Sequence, residues 1–175
     1  MKKLSRVLFL PLVLLLLAGN AAYAVNHEAK YFLSNGEAKL KARNYKDAID
    51  IFTKAIDHEP KLSRSTLAEV YFKRGFAKAS LGDNEGAKAD YRISIECDRT
   101  PKDAVAYYNR GIAKSFTGDN NGALADFTKA IDLNPAYGEA YTHRGKIKDA
   151  MGDKEGASLD FKLANKFHIT SYSEK

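Results

Sequence analysis

Residues 104–137 read AVAYYNRGIAKSFTGDNNGALADFTKAIDLNPAY, and this stretch decides the fold. Its leading phrase, Tyr107-x-x-Arg110-Gly111-x-Ala113-Lys114, stands upstream as Tyr71-x-x-Arg74-Gly75-x-Ala77-Lys78 and downstream as Tyr141-x-x-Arg144-Gly145-x-x-Lys148. A weaker copy, Phe32-x-x-Asn35-Gly36-x-Ala38-Lys39, precedes them. Behind the last three copies come Gly82-Asp83-x-x-Gly86-Ala87, Gly118-Asp119-x-x-Gly122-Ala123 and Gly152-Asp153-x-x-Gly156-Ala157. The offset from Gly111 to Gly145 is 34, from Gly75 to Gly111 it is 36, and from Gly36 to Gly75 it is 39. Self-similarity at such a period marks a chain built by stacking one small unit, because a single unit cannot bury its own apolar face.

The punctuation inside each copy predicts two helices joined by a tight turn. Gly82, Gly118 and Gly152 sit where a first helix needs a left-handed ending. Asp83, Asp119 and Asp153 follow as N-caps of the second helix. In the first copy Arg43-Asn44 replaces Gly-Asp, a less suitable turn. Thr66-x-x-Glu69 has the form of a capping box opening the second unit. Thr100-Pro101, with Asp103 behind it, reads as a cap followed by proline at the first helical position. Both openings fall where extra residues break the regular spacing, so the insertions lengthen a linker or a helix start and leave the packing register intact.

These residues resemble the tetratricopeptide repeat family, a helix–turn–helix of about 34 residues with an aromatic, Gly, Ala, an aromatic, Ala and Pro in order. The third copy carries all six as Tyr107, Gly111, Ala123, Phe127, Ala130 and Pro135, and the first as Phe32, Gly36, Ala48, Phe52, Ala55 and Pro60. The second has Ser94 where alanine is expected and its proline displaced to Pro101; the fourth has Ile169 in place of proline. The resemblance implies an all-α fold, a right-handed α-solenoid of four hairpins at about residues 29–62, 68–101, 104–137 and 138–171. It also implies that the first helices line a concave groove. The groove positions hold Phe72, Lys73, Phe76, Tyr108, Asn109, Ile112, Ser115 and Phe116 in the middle, with His143 and Lys146 towards the C-terminal end. Large apolar groups on a surface expected to face solvent suggest a partner-binding strip; packing between adjacent first helices is the other reading. Some members of the family grip a chaperone's C-terminal carboxylate with Lys, Asn and Arg. Of those positions only Asn109 fits, so an extended peptide with apolar anchors, or an amphipathic helix, is the expected ligand.

Arg74, Arg110 and Arg144 are each followed sixteen residues later by Asp90, Asp126 and Asp160. In the first copy Asn35 and Ile51 stand at the two places, so both charges are absent together. In an antiparallel hairpin these positions can face one another, and one ion pair is expected per hairpin in the last three; the other reading is two solvated charges without contact.

The N-terminus reads as an address. Lys2-Lys3 lead into Val7 to Ala18, an uncharged and mostly leucine run, and Ala22-Tyr23-Ala24 has the small-x-small pattern of a signal peptidase site. Cleavage after Ala24 is expected, giving residues 1–24 as signal peptide and 25–175 as the repeat domain, with no stable membrane anchor remaining. Pro11 and Gly19-Asn20 interrupt the apolar run short of the roughly 20 residues a spanning helix needs. With the Lys-Lys start, the lack of an N-x-S/T sequon favours a bacterial envelope, so a periplasmic or secreted destination is expected.

Composition closes off other classes. The +6 formal charge includes Lys2, Lys3 and Arg6, and without them 25 basic residues face 22 acidic ones. That excess is too small to argue for nucleic acid. One cysteine, Cys97, excludes an internal disulfide and a multi-cysteine metal site. His27, His58, His143 and His168 have no i, i+4 partner, and Asp119-Asn120-Asn121-Gly122 lacks the closing glutamate of a calcium loop. No nucleophile elbow, phosphate loop or dinucleotide fingerprint occurs. No enzyme, metal or cofactor is expected. The expected function is a non-catalytic protein–protein interaction scaffold of the cell envelope. The last helix is predicted to end near Phe167, too early for a capping helix, which leaves Leu159, Leu163 and Phe167 as an apolar end. A self-associating protein, such as a homodimer through that end, is the alternative, and a carrier of a small apolar ligand is a lesser one.

Overall fold

Helix follows helix along the chain in the order the punctuation requires. The computed structural model describes residue 28 and residues 30–57 and 62–173, with side chains as far as 167. The expected signal segment, His27, His58 and Pro60 lie outside the described residues. Among these residues there are eight helices and no strand: α1 (30–41), α2 (Tyr45–Asp57), α3 (Arg64–Ser80), α4 (Asn84–Cys97), α5 (Ala104–Phe116), α6 (Asn120–Leu133), α7 (Gly138–Ala150) and α8 (Lys154–Ser173). α3 pairs with α4, α5 with α6 and α7 with α8, and each hairpin leans on the next through α2–α3, α4–α5 and α6–α7. The fold is an all-α solenoid of helical hairpins.

The turns form for the reason the glycines predict. Gly118 has φ 95°, its N–H bonds the Ser115 carbonyl at 3.1 Å, and Asp119 N–H reaches back to Lys114 at 2.9 Å. That pair of bonds is a Schellman ending, and the left-handed residue in it carries no steric cost when it is glycine. Asp119 then accepts from Gly122 N–H at 2.9 Å and caps α6. The turns at Gly82 and Gly152 repeat the pattern. In the first hairpin the same bonds run from Arg43 and Asn44, and Arg43 is held at φ 57°.

Packing within a hairpin depends on close approach. A Cβ added to Gly111 would lie 2.8 Å from the Phe127 ring, so the ring lies directly on the α5 backbone. Phe52, Tyr91 and Phe127 are buried in this way, with Ala77, Ala113 and Ala123 filling the narrow space around them. Ser94, where the repeat pattern has alanine, is buried without loss because its hydroxyl donates to the Ala68 carbonyl at 2.7 Å.

Three boundaries differ from the sequence expectation. α3 does not open at Thr66: Ser63 is the cap, accepting from Thr66 N–H at 3.1 Å, and the helix gains its extra residues at that end. α5 does not open at Thr100-Pro101: Asp103 accepts from Ala106 N–H at 2.9 Å and Pro101 is buried in the linker. α8 does not end near Phe167 but continues to Ser173, and Phe167 stacks on Tyr141 with ring centroids 5.7 Å apart. At the first two boundaries the side chain that caps the helix stands within a turn of the one the motif marks.

Candidate functional site

Each recurring arginine sits on a first helix one turn after the tyrosine of its motif and one turn before the lysine. Arg110 Nε and Nη2 form a fork on Asp126 at 2.8 and 2.7 Å, and Lys114 Nζ adds a third contact at 2.9 Å. Arg74 and Lys78 hold Asp90 in the same way, and Arg144 and Lys148 hold Asp160, with contacts between 2.7 and 3.0 Å. The three aspartates are only 1–3% exposed. The guanidinium groups lie 5.3–5.4 Å over the rings of Tyr71, Tyr107 and Tyr141. The third edge of each arginine reaches the preceding hairpin or its linker: Thr53, the Arg99 carbonyl and Thr128. Bonds to Asp126 raise the Arg110 pKa further. The Tyr-x-x-Arg-x-x-x-Lys phrase is therefore engaged in holding hairpins together. The lysines' part was legible in their position four residues after each arginine, on the same helix face.

The groove positions divide into packed and accessible groups. Phe72 is 9% exposed and packs on Tyr91 at 5.6 Å, which leaves only an edge of its ring accessible. Phe116 leans on the same Tyr91 at 5.0 Å, and Ile112 is half-buried against the cores of both middle hairpins. Tyr108 lies between Phe127, Tyr137 and His143, at 5.9, 4.8 and 5.6 Å, and burial pushes its hydroxyl pKa well up. His143 lies 5.7 Å from Phe127 as well, and burial, with Lys146 nearby, lowers its pKa. Lys73 is drawn off to Glu37 on α1 at 2.7 Å and to Glu69 at 3.4 Å. Phe76, 44% exposed with Tyr45 at its edge, Lys146 and half-buried Asn109 remain accessible. The strip is thinner than the sequence pattern implied, because adjacent first helices touch, α3 meeting α5 directly.

The space on this side lies instead between the second and third hairpins. A cleft of about 1060 Å³ runs between the start of α3 and the start of α5, floored by the end of α4 and the 98–103 linker. The groove residues Phe72 and Asn109, with Glu69 and Val105 beside them, form part of its wall. Val105 is 56% exposed. Arg64, Cys97, Arg99 and Lys102 complete the rim, and burial pushes the Cys97 thiol up. None of these four was singled out by motif. Their signal was the broken period, since both departures from the regular spacing flank the cleft.

Among known proteins, the tetratricopeptide repeat family model matches residues 68–100 and 104–137, the second and third hairpins. No curated protein matches the chain. Among solved structures, the crystal structure of MamA is similar at 22% identity, over 83% of this chain and 81% of that one, with a TM-score of 0.57. The first tetratricopeptide domain of Spaghetti (RPAP3), bound to the HSP90 peptide SRMEEVD, is similar at 25% identity over 72% of this chain and 94% of that one, with a TM-score of 0.54. The first such domain of human RPAP3 gives 26% identity, 74% and 96% coverage, and a TM-score of 0.55. The two middle hairpins thus match the tetratricopeptide repeat model, and the solenoid around them has the fold that these solved domains share.

Proposed function

We propose that this protein is a non-catalytic interaction module of the bacterial cell envelope, holding a peptide segment of a partner protein on its concave side. The observation that carries the reading is the cleft, which opens among groove positions of α3 and α5 and exposes Val105 at its mouth. The RPAP3 domain, with a peptide bound, supplies the parallel. Export rests on the N-terminal segment, with cleavage following Ala24, and N-terminal sequencing of the protein recovered from the periplasm or medium tests it: Val25 should come first.

A photo-crosslinking residue at position 105, with another at exposed Lys129 on α6 as control, tests the groove. Adducts with a partner peptide at 105 and none at 129 are the expected result. Equal adducts at both positions would move recognition to the other face. Self-association through the C-terminal hairpin is the second reading, favoured by Leu159, which is 58% exposed on α8. Light scattering across a concentration series, with Leu159→Glu beside wild type, separates it: only self-association gives a mass that the substitution lowers.

A further inference from the structure

The cleft differs from the junction that follows it, and the difference names a ligand. α6 and α7 are joined by residues 134–137, while α4 and α5 are joined by residues 98–103, two residues more. On the opposite wall, α3 has 17 residues against 13 in α5 and α7, an extra turn. Arg64 pins that turn over the end of α4, donating to the Glu96 carbonyl at 2.7 Å. The two insertions together line the cleft at one end.

At the regular junction the space is filled by the chain itself. Tyr137, the residue before α7, lays its ring on Tyr108 of the preceding first helix with centroids 4.8 Å apart. The equivalent pair one hairpin earlier is Asp103 and Phe72. Asp103 has no ring and turns to cap α5, so the linker lays no ring on Phe72, and the edge that Tyr91 leaves uncovered lines the cleft. The charges of the wall are unequal in their freedom. Glu69 meets Lys73, Asp103 caps its helix and Asp98 lies in the field of Arg110. Arg64 and Arg110 are likewise engaged, with backbone carbonyls and Asp126. Arg99 and Lys102 are exposed and have no ion-pair partner among the described residues.

Resting on the peptide-binding reading above, we infer that this cleft takes a partner segment with an aromatic side chain beside a carboxylate. The ring occupies the place against Phe72 that Tyr137 fills at the next junction, and Asp or Glu beside it meets Arg99 and Lys102. A buried aromatic anchor with a charged rim is how small peptide sites divide affinity from orientation.

The test pans a phage-displayed library of random peptides against the purified protein, then measures enriched peptides by fluorescence anisotropy. Two variants accompany wild type, each checked for helicity by circular dichroism. Arg99→Glu with Lys102→Glu reverses the rim on an exposed linker. Asp103→Tyr installs the plug, and α7 shows that tyrosine is tolerated there, since Tyr137 makes no side-chain cap. The expected result is enrichment of aromatic residues next to Asp or Glu, with binding weakened about tenfold or more by either variant. Should Asp103→Tyr fail to fold, the charge reversal still decides. Peptides that bind both variants as tightly as wild type would overturn the cleft and leave peptide binding standing. Cleft-dependent peptides without an aromatic or an acidic residue would overturn the ligand chemistry. A library yielding no binder at all would overturn both readings.

Discussion

At the scale of single residues, the three buried aspartates govern stability. A carboxylate nearly closed off from water is tolerable only while its charge is met, and Asp126 is met by a two-pronged guanidinium and an ammonium. Asp126→Ala should cost about 3 kcal/mol, because it also strands Arg110 and Lys114 in a half-buried site. A double-mutant cycle of Asp126→Ala and Arg110→Ala in urea should give a coupling of about 1 kcal/mol or more, and additivity would mean that the contact contributes nothing. His143 makes a pH prediction. Burial against Tyr108 and Phe127 depresses its folded pKa, so below the ordinary histidine value of about 6.5 the unfolded chain takes up a proton that the folded one refuses. Stability is therefore complete above that value and falls as pH drops through it. Urea midpoints at neutral and mildly acidic pH should show the fall in wild type and a smaller one in His143→Phe.

At the scale of helices and turns, one element departs from its siblings. Arg43 occupies the left-handed position that Gly82, Gly118 and Gly152 hold elsewhere. A left-handed L-residue costs roughly 1–2 kcal/mol, and glycine's extra freedom in the unfolded chain returns about 0.4–1 of it. Arg43→Gly should thus raise stability by about 0.5–1 kcal/mol, and Gly118→Ala should lower it by about 1 kcal/mol, both readable from denaturant curves. The helix starts show where reading by motif went astray. Thr66-x-x-Glu69 and Thr100-Pro101 both look like openings, but Ser63 and Asp103 are the side chains whose oxygens reach an unsatisfied N–H. Capping is a matter of where a hydroxyl or carboxylate lies, and several candidates stand within a turn of each other.

At the scale of the whole molecule, stability is close to a sum over hairpins and their junctions. The first hairpin has Asn35 and Ile51 in place of Arg and Asp, and Arg43 in its turn, so it lacks two stabilising features that the others share. Amide hydrogen exchange should show α1 and α2 opening more readily than α5 and α6. Equal protection across both hairpins would mean that Phe52 and its neighbours compensate fully. The same uneven distribution bears on function, because the cleft lies between the second and third hairpins, each braced by its own ion-pair cluster.

Residues 104–137 and their copies were by themselves enough to establish the helical hairpins, their turns and the Arg–Asp pairs. These features are local, set by short spacings within one unit, and the repeat period records them faithfully. Which groove residues are accessible was another matter. Phe72, Phe116 and His143 read as a surface strip from position alone, but each touches an aromatic group contributed by another helix, Tyr91 or Phe127. The cleft was likewise visible only as two irregular spacings. Its width depends on how far an added helical turn and a longer linker separate two hairpins in space, and only the tertiary structure decides that, because burial belongs to pairs of elements and not to positions in one.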